Sequence, residues 1–304
     1  MFSTGNFSTF ASLKTSVETY LTASGGWSLT SGVLHKGAAF FKLTATTEAL
    51  LLEGGTGQSG SDLTGTASAG VKIMSFAGSP MGFPADYDLH VFDDPAEEVY
   101  LVVNYNGDKY QQLSFGVSNV EQVGGTGAWF TGSFAETASD AGDNLVYLQA
   151  DAYSIGPGFS GFGLGLFLGY DTYSPGGSYI HTGLDTTGWK TVYSDDGSIV
   201  SSASIVAGPL QALPSQFNQN TVLLPLLAVQ RRLSQGQTIA ADLVNARLCR
   251  IDNHLVSQVV PYGGTDWKVY PWHRKNADVR NGVPWSTGAD HTGTFGFAIH
   301  YTGP

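Results

Sequence analysis

Cysteine is nearly absent: Cys249 is the one thiol in 304 residues, which excludes an intrachain disulfide framework. It lies in an apolar-alternating run with Ala246, Leu248 and Arg250, so a buried structural thiol is expected rather than a nucleophile. Charge is scarce as well. Asp, Glu, Lys and Arg together make up 13% of the chain, so the surface has to be built largely from Ser, Thr, Gly, Asn and Gln. No run approaches the ~20 apolar residues of a membrane-spanning helix. Met1 to Gly26 lacks a basic start and a continuous apolar core, so no secretory leader is expected. No GxSxG, HExxH or spaced Cys/His set occurs, which leaves nucleophilic and zinc-hydrolase chemistry without a basis.

Glycine is abundant. Forty Gly among many Ser and Thr indicate turns and short strands, and a mainly β chain long enough to bury a sizeable core. The net charge of −11 is unevenly spread. Residues 1–200 hold 6 Lys/Arg against 20 Asp/Glu, a net −14, and residues 201–304 hold 8 against 5, a net +3. An acidic first part and a mildly basic last part complement each other, within a chain or between subunits. The same acidity argues against nucleic acid as a partner.

Ser8 to Ser24 reads as a helix, with Phe10, Leu13, Val17, Tyr20 and Leu21 at helical spacing, a Ser8 or Thr9 cap, and Gly25-Gly26 as a stop. A β-meander follows from Trp27 to Leu43, and a strand from Glu48 to Glu53. Gly54 to Gly70 is a Gly/Ser-rich loop that lacks the lysine and following helix of a phosphate cradle. Val71–Phe76, Tyr87–Phe92, Val99–Tyr105, Tyr110–Val117 and Ala128–Phe134 are strands at the spacing of an antiparallel sandwich or barrel. Asn106-Gly107-Asp108 turns one hairpin. Gly156 to Gly177 alternates Gly with Phe, Leu and Tyr, and reads as a loop whose Phe159, Phe162 and Phe167 contact another subunit. Thr221–Arg232, broken by Pro225, is an extended strand. Val244–Ile251, His254–Val260 and Trp267–Tyr270 are further strands. The expected layout is an N-terminal helix plus β-sandwich domain over 1–135, a Gly-rich β/loop connection over 136–210, and a C-terminal β domain over 211–304.

Two constellations carry candidate chemistry. Asp86, Asp88 and His90 share one face of a strand, with Asp93 and Asp94 just beyond, so a metal site is geometrically available; a solvated polar face opposite Tyr87, Leu89 and Val91 gives the same spacing. Near the C-terminus, Trp267, Tyr270, Trp272 and Trp285 could stack on sugar rings, and His273, Arg274, Lys275 and Arg280 could take an anion. The preferred reading is an aromatic anchor in which Arg274 and Lys275 meet an acidic neighbouring subunit.

GGWSLTSGVLHKGAAFFKLT, LEGGTGQSGSDLTG, YDLHVFDDPAEEVYLVVNYNGDKYQQLSFG, WKVYPWHRKN and HTGTFGFAIHY together resemble a group of virion structural proteins of tailed bacteriophages, of the tail or baseplate kind. The resemblance covers roughly the first 135 and last 85 residues. It implies a non-enzymatic assembly component, built in symmetric copies, located in the virion tail after synthesis in the host cytoplasm. Its partners would be copies of itself and other virion proteins; the residues themselves lead to no expectation of a cofactor or a metal. The alternative is a receptor- or carbohydrate-binding tail-tip module that uses Trp267, Trp272 and Trp285 on a host surface glycan.

Overall fold

The computed structural model of the chain describes residues 1–75, 80–121, 123–137, 177–191, 199–201, 222–234, 236–251, 254–271 and 295–304. The chain begins with β1 (Phe2–Phe7) and helix α1 (Phe10–Ala23), followed by β2 (Ser28–Thr30), β3 (Val33–Lys36), β4 (Ala39–Ala45) and β5 (Ala49–Gly55). A small hairpin, β6 (Gly57–Ser59) and β7 (Asp62–Thr64), precedes β8 (Val71–Met74) and β9 (Ala85–Phe92). Next come β10 (Glu98–Tyr105), β11 (Lys109–Val117), β12 (Ala128–Gly132), β13 (Phe134–Ala135), β14 (Ser178–Thr182) and β15 (Gly188–Thr191). The last part holds β16 (Ile199–Ser201), β17 (Leu223–Arg231), β18 (Gln237–Arg250), β19 (Val259–Tyr262), β20 (Thr265–Pro271) and β21 (Phe295–His300).

Among the described residues the strands form three larger antiparallel sheets. The central one runs β1-β9-β10-β11-β12-β14-β15, the second β13-β8-β5-β4-β3-β2, and the third β16-β17-β18-β21-β20-β19. Parity along β10 shows how they stack. Val99, Leu101, Val103 and Tyr105 pack with residues of the second sheet and α1, while Tyr100 and Val102 pack with residues of the third. The central sheet is therefore buried on both faces. That is why VYLVVNY is apolar almost throughout instead of alternating with polar residues. The mainly β, antiparallel class with one N-terminal helix is as expected, but a third layer extends the sandwich.

Helix α1 starts where Thr9 caps it. The Thr9 hydroxyl accepts from the Ser12 amide at 3.1 Å, and the Ser12 hydroxyl accepts in return from the Thr9 amide at 3.2 Å, a reciprocal cap. Phe10, Leu13, Val17 and Leu21 are buried in the core shared with Phe41, Phe115 and Phe130. The chain passes from the central to the second sheet across a single residue, Ser133, between β12 and β13. Gly132 makes that crossing sterically feasible, since a Cβ there would lie 2.7 Å from Leu113 Cδ2 and 2.9 Å from Val71 Cβ.

Several local expectations change. Residues 178–191, placed by sequence in a connecting region, supply β14 and β15 to the central sheet. The Gly54–Gly70 loop contains the β6–β7 hairpin, anchored when Trp189 Nε1 donates to the Gly65 carbonyl at 2.8 Å. Residues 254–258 do not continue a strand: Ser257 takes φ +60, and the Leu255 amide donates to Gln258 Oε1 at 2.8 Å. The strand read from Val244 is the second half of a longer β18. Opposite it, β17 advances two residues, from Pro225 to Leu227, while β18 advances five, from Arg247 back to Asp242. Pro225 has no amide to pair, and the resulting bulge projects the backbone of Val244 and Asn245 towards the central sheet. Among the described residues no helix is long and apolar enough to cross a membrane.

Candidate functional site

The seam between the central and third sheets gathers the chemically capable side chains. Asp88 and His90 lie on the face of β9 that meets the third sheet, not on a solvated face. Asp88 Oδ2 accepts from Lys268 Nζ at 2.7 Å and from the Tyr270 hydroxyl at 2.7 Å. His90 Nε2 lies 2.9 Å from the same hydroxyl. His90 is fully buried, and burial pulls its imidazole down to about 3, against the opposing pull of Asp88. The ring is therefore neutral across the ordinary pH range. The Lys268 ammonium also sits over the rings of Phe2, Tyr301 and Tyr270, at 5.1, 5.6 and 5.9 Å. Three rings and a carboxylate hold one cation in place.

Glu98, at the start of β10, faces the β18 bulge and is 1% exposed. Its carboxylate accepts from the Val244 amide at 3.1 Å, the Asn245 amide at 3.0 Å, Asn245 Nδ2 at 2.9 Å and the Tyr100 hydroxyl at 2.9 Å. Consecutive amides of a regular strand point in opposite directions, so one carboxylate reaches both only because the backbone is bulged there. Burial pushes the Glu98 carboxyl up to about 7, although these four donors favour its ionised form. The Tyr100 phenol is raised well above its usual value, by burial first and by Glu98 second.

Beside the Asp88–Lys268 pair a cleft of ≈ 230 Å³ opens, lined by Thr4, Asp86, Tyr87, Asp88, Val102, Asn104, Tyr110, Ser257, Lys268 and Tyr270. Four segments distant in sequence meet here: β1, the β9–β11 strands, the 254–258 turn and β20. Asp86 is exposed at the rim. Tyr110 is buried, and burial raises its phenol, opposed by hydrogen bonds with Ser257 and Asn104. Ser257, non-glycine at positive φ, is held by its amide donating to the Val269 carbonyl at 2.8 Å.

The residues singled out from sequence fare unequally. Asp86, Asp88 and His90 do share a face, but Lys268 and Tyr270 occupy the space next to Asp88 and His90. No group of three or more His, Cys, Asp or Glu that could hold a metal ion occurs among the described residues. Trp267 is 7% exposed, with the Arg247 guanidinium 5.2 Å from its ring centroid and His300 packed at 5.7 Å. Its ring is an internal strut and offers little surface to a sugar. Cys249 is fully buried. Phe159, Phe162, Phe167, Trp272, His273, Arg274, Lys275, Arg280 and Trp285 lie outside the described residues. Sequence reasoning missed Glu98 and Lys268. The signal for Glu98 was its parity with Tyr100 and Val102, an acidic residue on a strand apolar on both faces. Searches against protein-family models and curated proteins find nothing that matches this chain.

Proposed function

We propose that the chain is a structural component of a bacteriophage tail or baseplate, working by subunit packing in a symmetric virion assembly. The observation that supports this most is the use of its reactive side chains. Asp88, His90, Glu98, Lys268 and Tyr270 are all engaged in bracing one sheet against another. A stack of sheets locked by oriented polar bonds holds its shape under load, which suits a particle subunit. The sequence resemblance supplies the kind of particle. In this reading Phe159, Phe162 and Phe167, with Arg274 and Lys275, contact neighbouring subunits, and the acidic residues of 1–200 face the basic last part of another copy.

Mass spectrometry and antibody labelling of purified particles test the proposal. The expected result is a fixed copy number and label confined to the tail, with three- or six-fold symmetry. Absence of the protein from purified particles would overturn it.

A further inference from the structure

We infer that the cleft beside Lys268 is a binding site for a small neutral polyol, a single saccharide unit in size. The volume of ≈ 230 Å³ falls below the roughly 300 Å³ at which drug-sized pockets begin, so the occupant is one ring or a short chain. The lining is mostly acceptors, the Asp86 carboxylate, the remaining lone pairs of Asp88, the Asn104 carbonyl and the Thr4 hydroxyl oxygen, whose own proton goes to the Tyr87 carbonyl at 3.0 Å, with the Asn104 amide nitrogen as donor. Each hydroxyl of a polyol is both donor and acceptor, so such a lining satisfies several of them at once. Val102 and Tyr110, both buried, close the base of the cleft.

Charge selects against the alternatives. Two carboxylates against one ammonium disfavour an anion. The Lys268 ammonium, 2.7 Å from Asp88, occupies the position a divalent cation would need and repels it. Preorganisation favours binding, because Asp88 is fixed by Lys268 and Tyr270, and Tyr110 by Ser257 and Asn104, so little side-chain ordering remains to oppose it. Ser257 at φ +60 adds a non-glycine residue in a sparsely populated conformation, of the kind that clusters at ligand sites.

The site is independent of the assembly reading, which is judged on particles. The test uses the full chain, with methyl glucoside, methyl galactoside, N-acetylglucosamine, glucuronate and calcium as separate probes in saturation-transfer NMR and calorimetry. Saturable binding of at least one neutral sugar is expected, with glucuronate and calcium inert. Asp86→Ala, at an exposed rim position, should weaken it about tenfold or more, as loss of a charge-assisted hydrogen bond does. Asn104→Ala should weaken it less, and Asp62→Ala, on the remote β6–β7 hairpin, should not. Unfolding midpoints within error of the parent show that Asp86→Ala and Asp62→Ala are folded. No saturable binding of any neutral probe, binding of glucuronate or calcium alone, or binding indifferent to both cleft substitutions would each overturn the inference.

Discussion

The two faces of the central sheet are held by different physics. Towards the second sheet and α1 the contact is almost entirely apolar: Phe41 and Phe115 ring centroids are 4.8 Å apart, and Trp27 and Phe115 are 5.3 Å apart. The buried polar side chain of Gln111 on that face is bonded to both backbone groups of Met74, at 2.7 and 2.8 Å. Towards the third sheet, His90, Glu98, Tyr100, Gln112 and Ser114 are buried among aliphatic residues. The first face holds by buried area, which accepts many arrangements of similar volume. The second adds to its own apolar cluster a set of matched donors and acceptors, which only one register satisfies. Area gives the body its stability; the polar seam fixes where the third layer sits.

The largest effect that separates the faces is expected on the apolar one. Phe41→Ala should lower stability by about 3–5 kcal/mol, the range for truncating a buried aromatic, with the same loss at acid and neutral pH. Denaturant unfolding measures it, and a loss that changed with pH would break the contrast. On the other face, Glu98→Leu leaves the Val244 and Asn245 amides, Asn245 Nδ2 and the Tyr100 hydroxyl without their acceptor. An unsatisfied buried donor costs about 1–3 kcal/mol, and water relieves part of the set, so about 3 kcal/mol is expected overall. Hydrogen exchange at Val244 and Asn245 should quicken while exchange in β4 and β5 stays slow. If both speed up together, the seam and the apolar face unfold as one unit and the comparison loses its meaning.

What the sequence disclosed follows the same division. Periodicity found the helix from Phe10 to Leu21, the β9 to β12 strands and the Asn106-Gly107 turn, because local spacing and turn chemistry decide them. It found that Asp86, Asp88 and His90 share a face, because strand parity alone fixes that. It did not reveal what that face meets, since Lys268 and Tyr270 arrive from about 180 residues away and pairing at that distance leaves no local pattern. The β18 bulge was hidden for a similar reason. Pro225 signalled an interruption in β17, but its consequence lies on the partner strand, at Val244 and Asn245. Glu98 ends the acidic run DDPAEE, where a solvated carboxylate is the ordinary outcome.

A smaller effect tests the ion pair at the edge of the seam. Lys268 and Asp88 side chains are 15% and 13% exposed, between a surface pair and a fully buried one. Lys268→Met should therefore cost about 1–2 kcal/mol, above the median surface pair and below a buried one broken on one side. In a double-mutant cycle with Asp88→Asn, the two losses should be less than additive, because the second substitution removes the charge that the first leaves unpaired. Additive losses would show that the three rings around Lys268, not the carboxylate, account for its contribution.

The smallest expected effect is a cancellation. His90 is lowered from 6.5 to about 3, so the folded state binds fewer protons there than the unfolded chain. Its contribution is complete above pH 6.5 and is lost as pH falls towards 3. Glu98 is raised from 4.5 to about 7, so the folded state binds more protons there. Its contribution is complete below pH 4.5 and is lost as pH rises towards 7. Between pH 4.5 and 6.5 the two act in opposite directions, each with a limiting slope of about 1.4 kcal/mol per pH unit, and their sum is near zero. Stability measured across that window should separate them by difference from the parent protein. His90→Gln, whose amide can still reach the Tyr270 hydroxyl, should tilt the profile so that stability falls with rising pH. Glu98→Gln should tilt it the other way. Both tilts should vanish in the double variant, because other titrating groups, such as His181 and Asp242, are common to all four proteins. A parent profile that already slopes while neither variant changes it would mean that the seam opens to water before either group titrates.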